Sequence, residues 1–78
     1  MTRAVLEFVT GWLVDHPEEV AISEVEDERA GTVLEISVHP DDIGKIIGKQ
    51  GRIIRALRTV ARAAAHREGD NVSVEVVD

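Results

Sequence analysis

An α+β fold with the element order α-β-β-α-α-β is the architecture that the sequence predicts. Three observations predict it: an apolar stripe of helical period near the start, alternating apolar residues in three short segments, and two helical segments that meet at a glycine-flanked junction. A three-stranded sheet with the helices packed on one face would bury all of these stripes. The 78 residues, 1–78, are expected to form a single domain with one thin core.

The first element is predicted to be a helix that ends before Pro17, because the residue preceding a proline disfavours the helical region. Phe8 and Trp12 are the only aromatic side chains, and both are expected to lie in the core. The apolar residues at helical spacing are Val5, Leu6, Val9, Trp12 and Leu13.

Three strands are predicted from alternation. The first two are joined by the polar turn 27–31, which ends in glycine, so that they form an antiparallel hairpin. The third closes the chain. Their alternating residues are Val20, Ile22 and Val25, then Leu34, Ile36 and Val38, then Val72, Val74 and Val76.

Two helices are predicted between the second and third strands. A short one begins near Pro40, since proline suits the first helical position, and stops at residues 48–51. A longer one runs to about Arg67, with Gly69 as its stop. The surface opposite its apolar arc is basic, formed by Arg55, Arg58, Arg62 and His66 with Arg52 beside it.

Composition and charge narrow the functional classes. The chain has no cysteine, which excludes disulfides, thiol nucleophiles and cysteine-ligated metals. No segment is long and apolar enough to span a bilayer, and a cytoplasmic protein is expected. The net charge of −6 is unevenly distributed: residues 1–42 carry −9 and residues 43–68 carry +6. A polyanion would therefore be attracted to one part of the surface.

The loop Gly48-Lys49-Gln50-Gly51 is the candidate binding element. Glycine at both ends allows positive φ and close approach to another molecule. The second glycine opens a helix, whose first N–H groups have no partner within the helix and lie at the positive end of its dipole. Lys45, Lys49 and Arg52 surround this point, which suits the phosphate oxygens of a nucleic acid.

Bases require an adjoining surface, because phosphate contacts position a strand without reading it. Ile43, Ile47 and Ile54 could form an aliphatic shelf, whereas the scarcity of aromatic residues argues against a stacking platform. The predicted nucleic-acid-binding residues are Lys45, Ile47, Gly48, Lys49, Gln50, Gly51, Arg52, Ile54 and Arg55.

Residues 42–57 resemble the signature of KH domains, Ile-Gly-x-x-Gly-x-x-Ile with a cation inside the loop. The element order resembles the type II arrangement, and the length resembles small bacterial stand-alone KH proteins of the KhpA type. The resemblance implies that Gly48 and Gly51 shape a clamp, Lys49 and Gln50 face the backbone of single-stranded RNA, and Ile47 and Ile54 line the base groove. Gln50 departs from the commoner glycine in the middle of the loop.

The resemblance also implies an RNA chaperone or post-transcriptional regulator that forms a homodimer or pairs with a larger KH-containing protein. An adaptor that uses the KH fold only for protein contacts is the alternative, and RNA against single-stranded DNA stays open. No membrane partner, small-molecule substrate, cofactor or catalytic residue is expected.

Other sites are set aside on spacing. Residues 44–50 have three residues between glycines where a P-loop requires four, and Gln50 replaces the Ser or Thr that holds magnesium. His16, His39 and His66 are scattered along the chain, so no metal site is predicted. The carboxylates between Glu18 and Glu28 are expected to be solvated rather than catalytic.

Overall fold

A computed structural model describes residues 1–29 and 31–77 and confirms the predicted element order. Ala30, within the predicted turn, and Asp78 lie outside the described residues. The helices are α1 (Thr2–Leu13), α2 (Ile43–Ile47) and α3 (Arg52–Arg67). The strands are β1 (Ala21–Asp27), β2 (Gly31–Ser37) and β3 (Val72–Val76), and single 3₁₀ turns occupy Pro17–Glu19 and Pro40–Asp42.

The three strands form one mixed sheet in the order β1-β2-β3. β1 and β2 are an antiparallel hairpin in which Ile22 pairs with Ile36. β2 and β3 are parallel, with Leu34 beside Val74. Because these four side chains are buried, they mark the sheet face that the helices cover, and the predicted one-sided layering is confirmed.

The core lies between this sheet face and the three helices. Each fully buried Leu or Ile contributes about 1.5–3 kcal/mol relative to exposure. The largest apolar side chains in this layer are Leu6 of α1, Leu34 and Ile36 of β2, Ile46 of α2 and Leu57 of α3. Every helix and the central strand therefore depend on the same core.

The prediction that Phe8 and Trp12 lie in the core is wrong, since they are 68% and 76% exposed. The buried face of α1 runs instead through Leu6 and Thr10 to Val14 beyond its end, at i, i+4 and i+8. Apolar residues occupy more than half of the circumference of α1. The helical period alone could not tell which part of that surface packs on the sheet.

α3 ends as predicted at glycine. Gly69 has φ +75°, its N–H donates to the carbonyl of His66, and the N–H of Asp70 donates to the carbonyl of Ala65 at 2.8 Å. This pair of bonds is a Schellman motif, which satisfies the last helical carbonyls and directs the chain into β3. Across residues 1–29 and 31–77, no helix combines the length and apolar character needed to cross a membrane.

Candidate nucleic-acid interface

The loop between α2 and α3 is a left-handed turn. Lys49 and Gln50 have φ of 53° and 60°, and Gly51 follows with φ 75°. Each left-handed residue other than glycine costs about 1–2 kcal/mol of backbone energy. Two such residues in a row are held by the helices on either side, so the loop conformation is imposed by the fold.

Gly48 is required for a reason other than positive φ, contrary to the expectation from the sequence. Its φ is −74°. A Cβ added to Gly48 would lie 2.3 Å from the carbonyl oxygen of Gly44, which accepts the Gly48 N–H at 2.8 Å. Glycine is needed here because the chain turns directly over the end of α2.

The main-chain donors of the loop are also distributed differently from the prediction. The N–H of Gly51 donates to the carbonyl of Gly48, and the N–H of Arg52 donates to the carbonyl of Lys49, so the start of α3 is capped internally. The N–H groups of Lys49 and Gln50 make neither of these capping bonds, and no bond from them to a loop or side-chain acceptor is found within the described part of the chain. Both residues are exposed. The free donors thus lie inside the loop and not at the helix start.

Three predicted cations are available around these donors. Lys49, Arg52 and Arg55 are exposed, and no ion pair forms at any of them within residues 1–29 and 31–77. Lys45 differs, because its Nζ lies 2.5 Å from Oδ2 of Asp15. That hydrogen bond raises the pKa of Lys45 above its ordinary value, so the ammonium stays charged while it is held by Asp15.

Two other residues of α3, Ile54 and Arg58, contribute to the packing of the fold more than to its exposed surface. The Nε of Arg58 donates to the carbonyl of Val74 in β3 at 3.2 Å. Ile54 is only 8% exposed and packs beneath Gly51. Ile47 is 49% exposed, and Ile43 is partly buried. Of the aliphatic shelf that the sequence predicts, Ile47 is the member that reaches solvent.

Comparison with known proteins matches residues 3–76 to a family model described as "KhpA/KhpB, KH domain". The chain belongs to the KhpA/KhpB KH-domain family. A relative from Clostridium acetobutylicum, named RNA-binding protein KhpA, is 49% identical over 96% of this chain and 99% of its own length. Proteins of the same name from Streptomyces coelicolor and Aquifex aeolicus are 45% and 40% identical and cover 100% and 97% of this chain and 94% and 95% of their own lengths.

A solved structure shares the fold of this KH domain. A crystal structure of Aquifex aeolicus Era bound to GDP and AlF4− superposes with a TM-score of 0.65 over 97% of this chain and 30% of the Era chain, at 23% identity. At that identity the likeness concerns the fold alone. The KH resemblance read from residues 42–57 is therefore confirmed at the level of family and fold.

The base of the KH loop is anchored by a buried carboxylate that the sequence analysis missed. Asp42, immediately before α2, is fully buried. It accepts hydrogen bonds from the main-chain N–H groups of Asp15 and His16, and its Oδ2 lies 3.0 Å from Nδ1 of His16. Asp42 thereby ties the end of α1 to the start of α2, and the adjacent pair between Asp15 and Lys45 reinforces the connection.

Asp42 and His16 shift each other's pKa. Burial would raise the pKa of Asp42, but the hydrogen bonds from the Asp15 N–H, the His16 ring and the His16 N–H together lower it below its ordinary value. The hydrogen bond to Asp42 raises the pKa of His16, against desolvation, with the charges of Glu18 and Asp41 adding to the effect. The ionised carboxylate and the protonated imidazole therefore stabilise each other.

The expectation of scattered histidines is wrong for one pair. His16 and His39 stack with ring centroids 4.0 Å apart and planes at 14°. They lie 23 positions apart in the sequence, His16 after α1 and His39 after β2, so only the tertiary fold brings them together. His66 stays separate and exposed on α3.

α1 presents an unexpected apolar surface on the side that faces away from the sheet. The aromatic stripe, as we call it, follows i, i+4, i+7 and i+11 and consists of Met1, Val5, Phe8 and Trp12. The Phe8 and Trp12 rings meet edge to face with centroids 6.2 Å apart. Met1 and Val5 also line a shallow cleft against the small residues Ala63 and Ala64 of α3.

Proposed function

We propose that this KH domain binds single-stranded RNA and that loop 48–51 holds the sugar-phosphate backbone. The left-handed turn at Lys49 and Gln50 carries the proposal, because it leaves two main-chain N–H groups free at an exposed and cationic point. Such donors bind phosphate oxygens without reading sequence. The relatives named RNA-binding proteins support the same ligand.

The strand would follow the exposed cations. Lys49 and the two free N–H groups contact phosphates at the loop, and Arg52 and Arg55 extend the contact along the first turn of α3. Gly48 and Gly51 fix the backbone, and Gln50 adds a neutral donor and acceptor. Ile47, which is exposed, supplies the apolar surface for a base, whereas Ile54 supports the loop from the core. Lys45 joins only when a phosphate displaces Asp15.

The test is titration of a fluorescein-labelled single-stranded RNA of mixed sequence into wild type and a Lys49→Asp/Gln50→Asp variant at two salt concentrations. The variant lowers the net charge by three. A matched control, Arg3→Asp/Asn71→Asp, lowers it by the same amount at exposed positions near the opposite end of α3. Comparing the loop variant with the control variant separates the loss of local RNA contacts from the effect of the changed net charge on affinity.

We expect the loop variant to bind much more weakly than the control. Its affinity should also depend less on salt, since each lost phosphate contact lowers the logarithmic salt slope of a single strand by about 0.7. Equal affinities of the loop and control variants would contradict the loop as the site. A parallel titration with single-stranded DNA of the same sequence tests whether the 2′-hydroxyls of the RNA contribute to the affinity.

We further propose that the chain associates with a second KH-domain protein, either another copy of itself or a larger KH-containing chain. The aromatic stripe supports this, because two exposed aromatic rings on one helix face are typical of association surfaces. A single KH loop clamps only about four nucleotides. Two linked loops would bind one strand with a raised effective concentration.

A protein-interaction adaptor with little RNA affinity is the alternative function. The aromatic stripe favours it, and the acidic residues 1–42 would suit a basic partner. An adaptor complex would persist after nuclease treatment and would be insensitive to the loop variant, whereas an RNA-dependent complex would dissociate.

For the RNA-binding function, we propose that the protein acts in the cytoplasm as a non-catalytic RNA chaperone or post-transcriptional regulator. That role needs no cofactor or small-molecule substrate.

A further inference from the structure

A cluster of metal-ligating side chains lies where the end of α1 meets the end of β2. Among the described residues, His16, His39 and Asp41 each offer a ligand atom within 4.8 Å of the others. We propose that these three residues bind a divalent transition-metal ion, with Zn²⁺ the best match. This site is separate from loop 48–51.

His16 is prepared for coordination by its neighbour. Its Nδ1 lies 3.0 Å from Oδ2 of the buried Asp42, which fixes the ring and keeps the N–H on that nitrogen. The lone pair of a neutral His16 is then on Nε2, pointing away from Asp42. A carboxylate that accepts from the second ring nitrogen is the usual support of a metal-bound histidine, since it sets the tautomer and raises the basicity of the ligand.

His39 supplies the second nitrogen ligand, Nδ1, and gives up one solvent-exposed hydrogen bond when it binds the ion. Its Nδ1 accepts from the main-chain N–H of Asp41 at 3.1 Å and lies 3.8 Å from Oδ2 of the same residue. The lone pairs of stacked rings run side by side, because they lie in the ring planes. A shared ion therefore requires one ring to turn. His39 is the ring that turns, because His16 is held by the buried carboxylate.

Two imidazoles and one carboxylate select the class of ion. Imidazole nitrogen suits Zn²⁺, Ni²⁺ and Cu²⁺, whereas Mg²⁺ and Ca²⁺ prefer oxygen ligands. Three protein ligands leave positions for water, and Asp41 is exposed, so the ion can enter from solvent. The carboxylates of Asp42 and Glu18, which act on His16 electrostatically, favour a cation at the same place.

The test is calorimetric titration of ZnCl₂ into protein freed of metal with EDTA and then dialysed. His39→Gln removes one ligand whose contacts are exposed, and His66→Gln is the matched control on α3. We expect the His39 variant to bind at least about tenfold more weakly, as loss of a supporting contact alone weakens metal sites about 10–100-fold. The His66 variant should bind like wild type, and MgCl₂ should give no binding heat.

Nuclear magnetic resonance of the wild-type imidazole protons supplies a second measurement that does not depend on a variant folding. Zn²⁺ should shift the ring signals of His16 and His39 and leave those of His66 unchanged. Equal Zn²⁺ affinity of wild type and the His39 variant would overturn the proposal. So would shifts confined to His66, or the absence of any shift or binding heat.

Discussion

Oδ2 of Asp42 lies 3.0 Å from Nδ1 of His16, although Asp42 immediately precedes α2 and His16 follows α1. The contact is made by a fully buried carboxylate that also accepts two main-chain hydrogen bonds. Asp15 and His16 lie just after α1 and Asp42 lies just before α2, so the contact joins these two helices. The orientation of the loop thus depends on a polar contact beneath it.

The pair predicts a specific pH dependence of the free energy of unfolding. His16 has a raised pKa, so its contribution is complete below its ordinary value of 6.5 and is lost as pH rises through the folded value. Asp42 has a lowered pKa, so its contribution is present above 3.8 and is lost as pH falls through the folded value. The pair therefore stabilises the fold most between pH 3.8 and pH 6.5.

Urea unfolding over a range of pH, with EDTA present, measures this pH dependence of the free energy of unfolding. Wild type and the control His66→Gln should both lose stability as pH rises above 6.5, and His16→Gln should lack that part of the decline. A His16 variant with the full alkaline decline of wild type would show that another group is responsible.

Asp15 is expected to compete with RNA for Lys45. Replacing Asp15 by Asn frees the lysine, because the 2.5 Å ion pair is lost while the main-chain N–H of residue 15 still donates to Asp42. RNA affinity should rise by about two- to fivefold, the range expected from breaking one exposed ion pair. Fluorescence anisotropy with the labelled RNA measures the change. Glu18→Gln, which removes one charge from the same turn without touching Lys45, should raise affinity less.

Two glycines that flank the last turn of α2 should respond oppositely to alanine. Gly48→Ala places a Cβ against the Gly44 carbonyl and should cost about 2 kcal/mol or more of stability, as overpacking does. Gly44→Ala meets nothing within 4 Å and should be neutral or stabilise by up to about 1 kcal/mol, since alanine favours helix. Urea denaturation compares them, and an equal loss in both variants would contradict the close approach at Gly48.

Two apolar residues of α1 should differ sharply when truncated. Leu6→Ala removes a fully buried side chain and should cost about 2–5 kcal/mol. Phe8→Ala removes an exposed ring and should change the stability of the folded monomer by less than about 0.5 kcal/mol.

The aromatic stripe should instead control association. A Phe8→Ala/Trp12→Ala variant should sediment as a monomer at concentrations where wild type associates. Trp12 is the only tryptophan, so its emission reports on this surface in the wild type and should shift to the blue as concentration rises. Sedimentation of the variant unchanged from wild type would exclude the stripe as the association surface.

Sequence reasoning succeeded where local rules decide the structure. The alternation of Leu34 and Ile36 predicted β2, and the glycine at position 69 predicted the end of α3, without tertiary information. The proline at position 40 opens a 3₁₀ turn, and α2 follows that turn at Ile43. The signature around Gly48 and Gly51 likewise identified the family, because its spacing is tied to one supersecondary arrangement.

The remaining features depend on tertiary packing. The acid at position 42 suited a first helical turn, and nothing local indicated that it is buried beneath residues 15 and 16. Positive φ at Lys49 and Gln50 is also a tertiary effect, since neither residue type favours it. The exposure of Phe8 could not be read from hydrophobicity, because an apolar residue can face either a core or a partner.

The parallel pairing of β2 with β3 has a consequence for folding. Thr32 and Val72 are register partners, so the crossover that contains loop 48–51 is closed only when β3 pairs with β2. The signature residues precede β3 in the sequence. The left-handed turn of the loop therefore gains the support of a closed crossover only after a strand that follows it has joined the sheet.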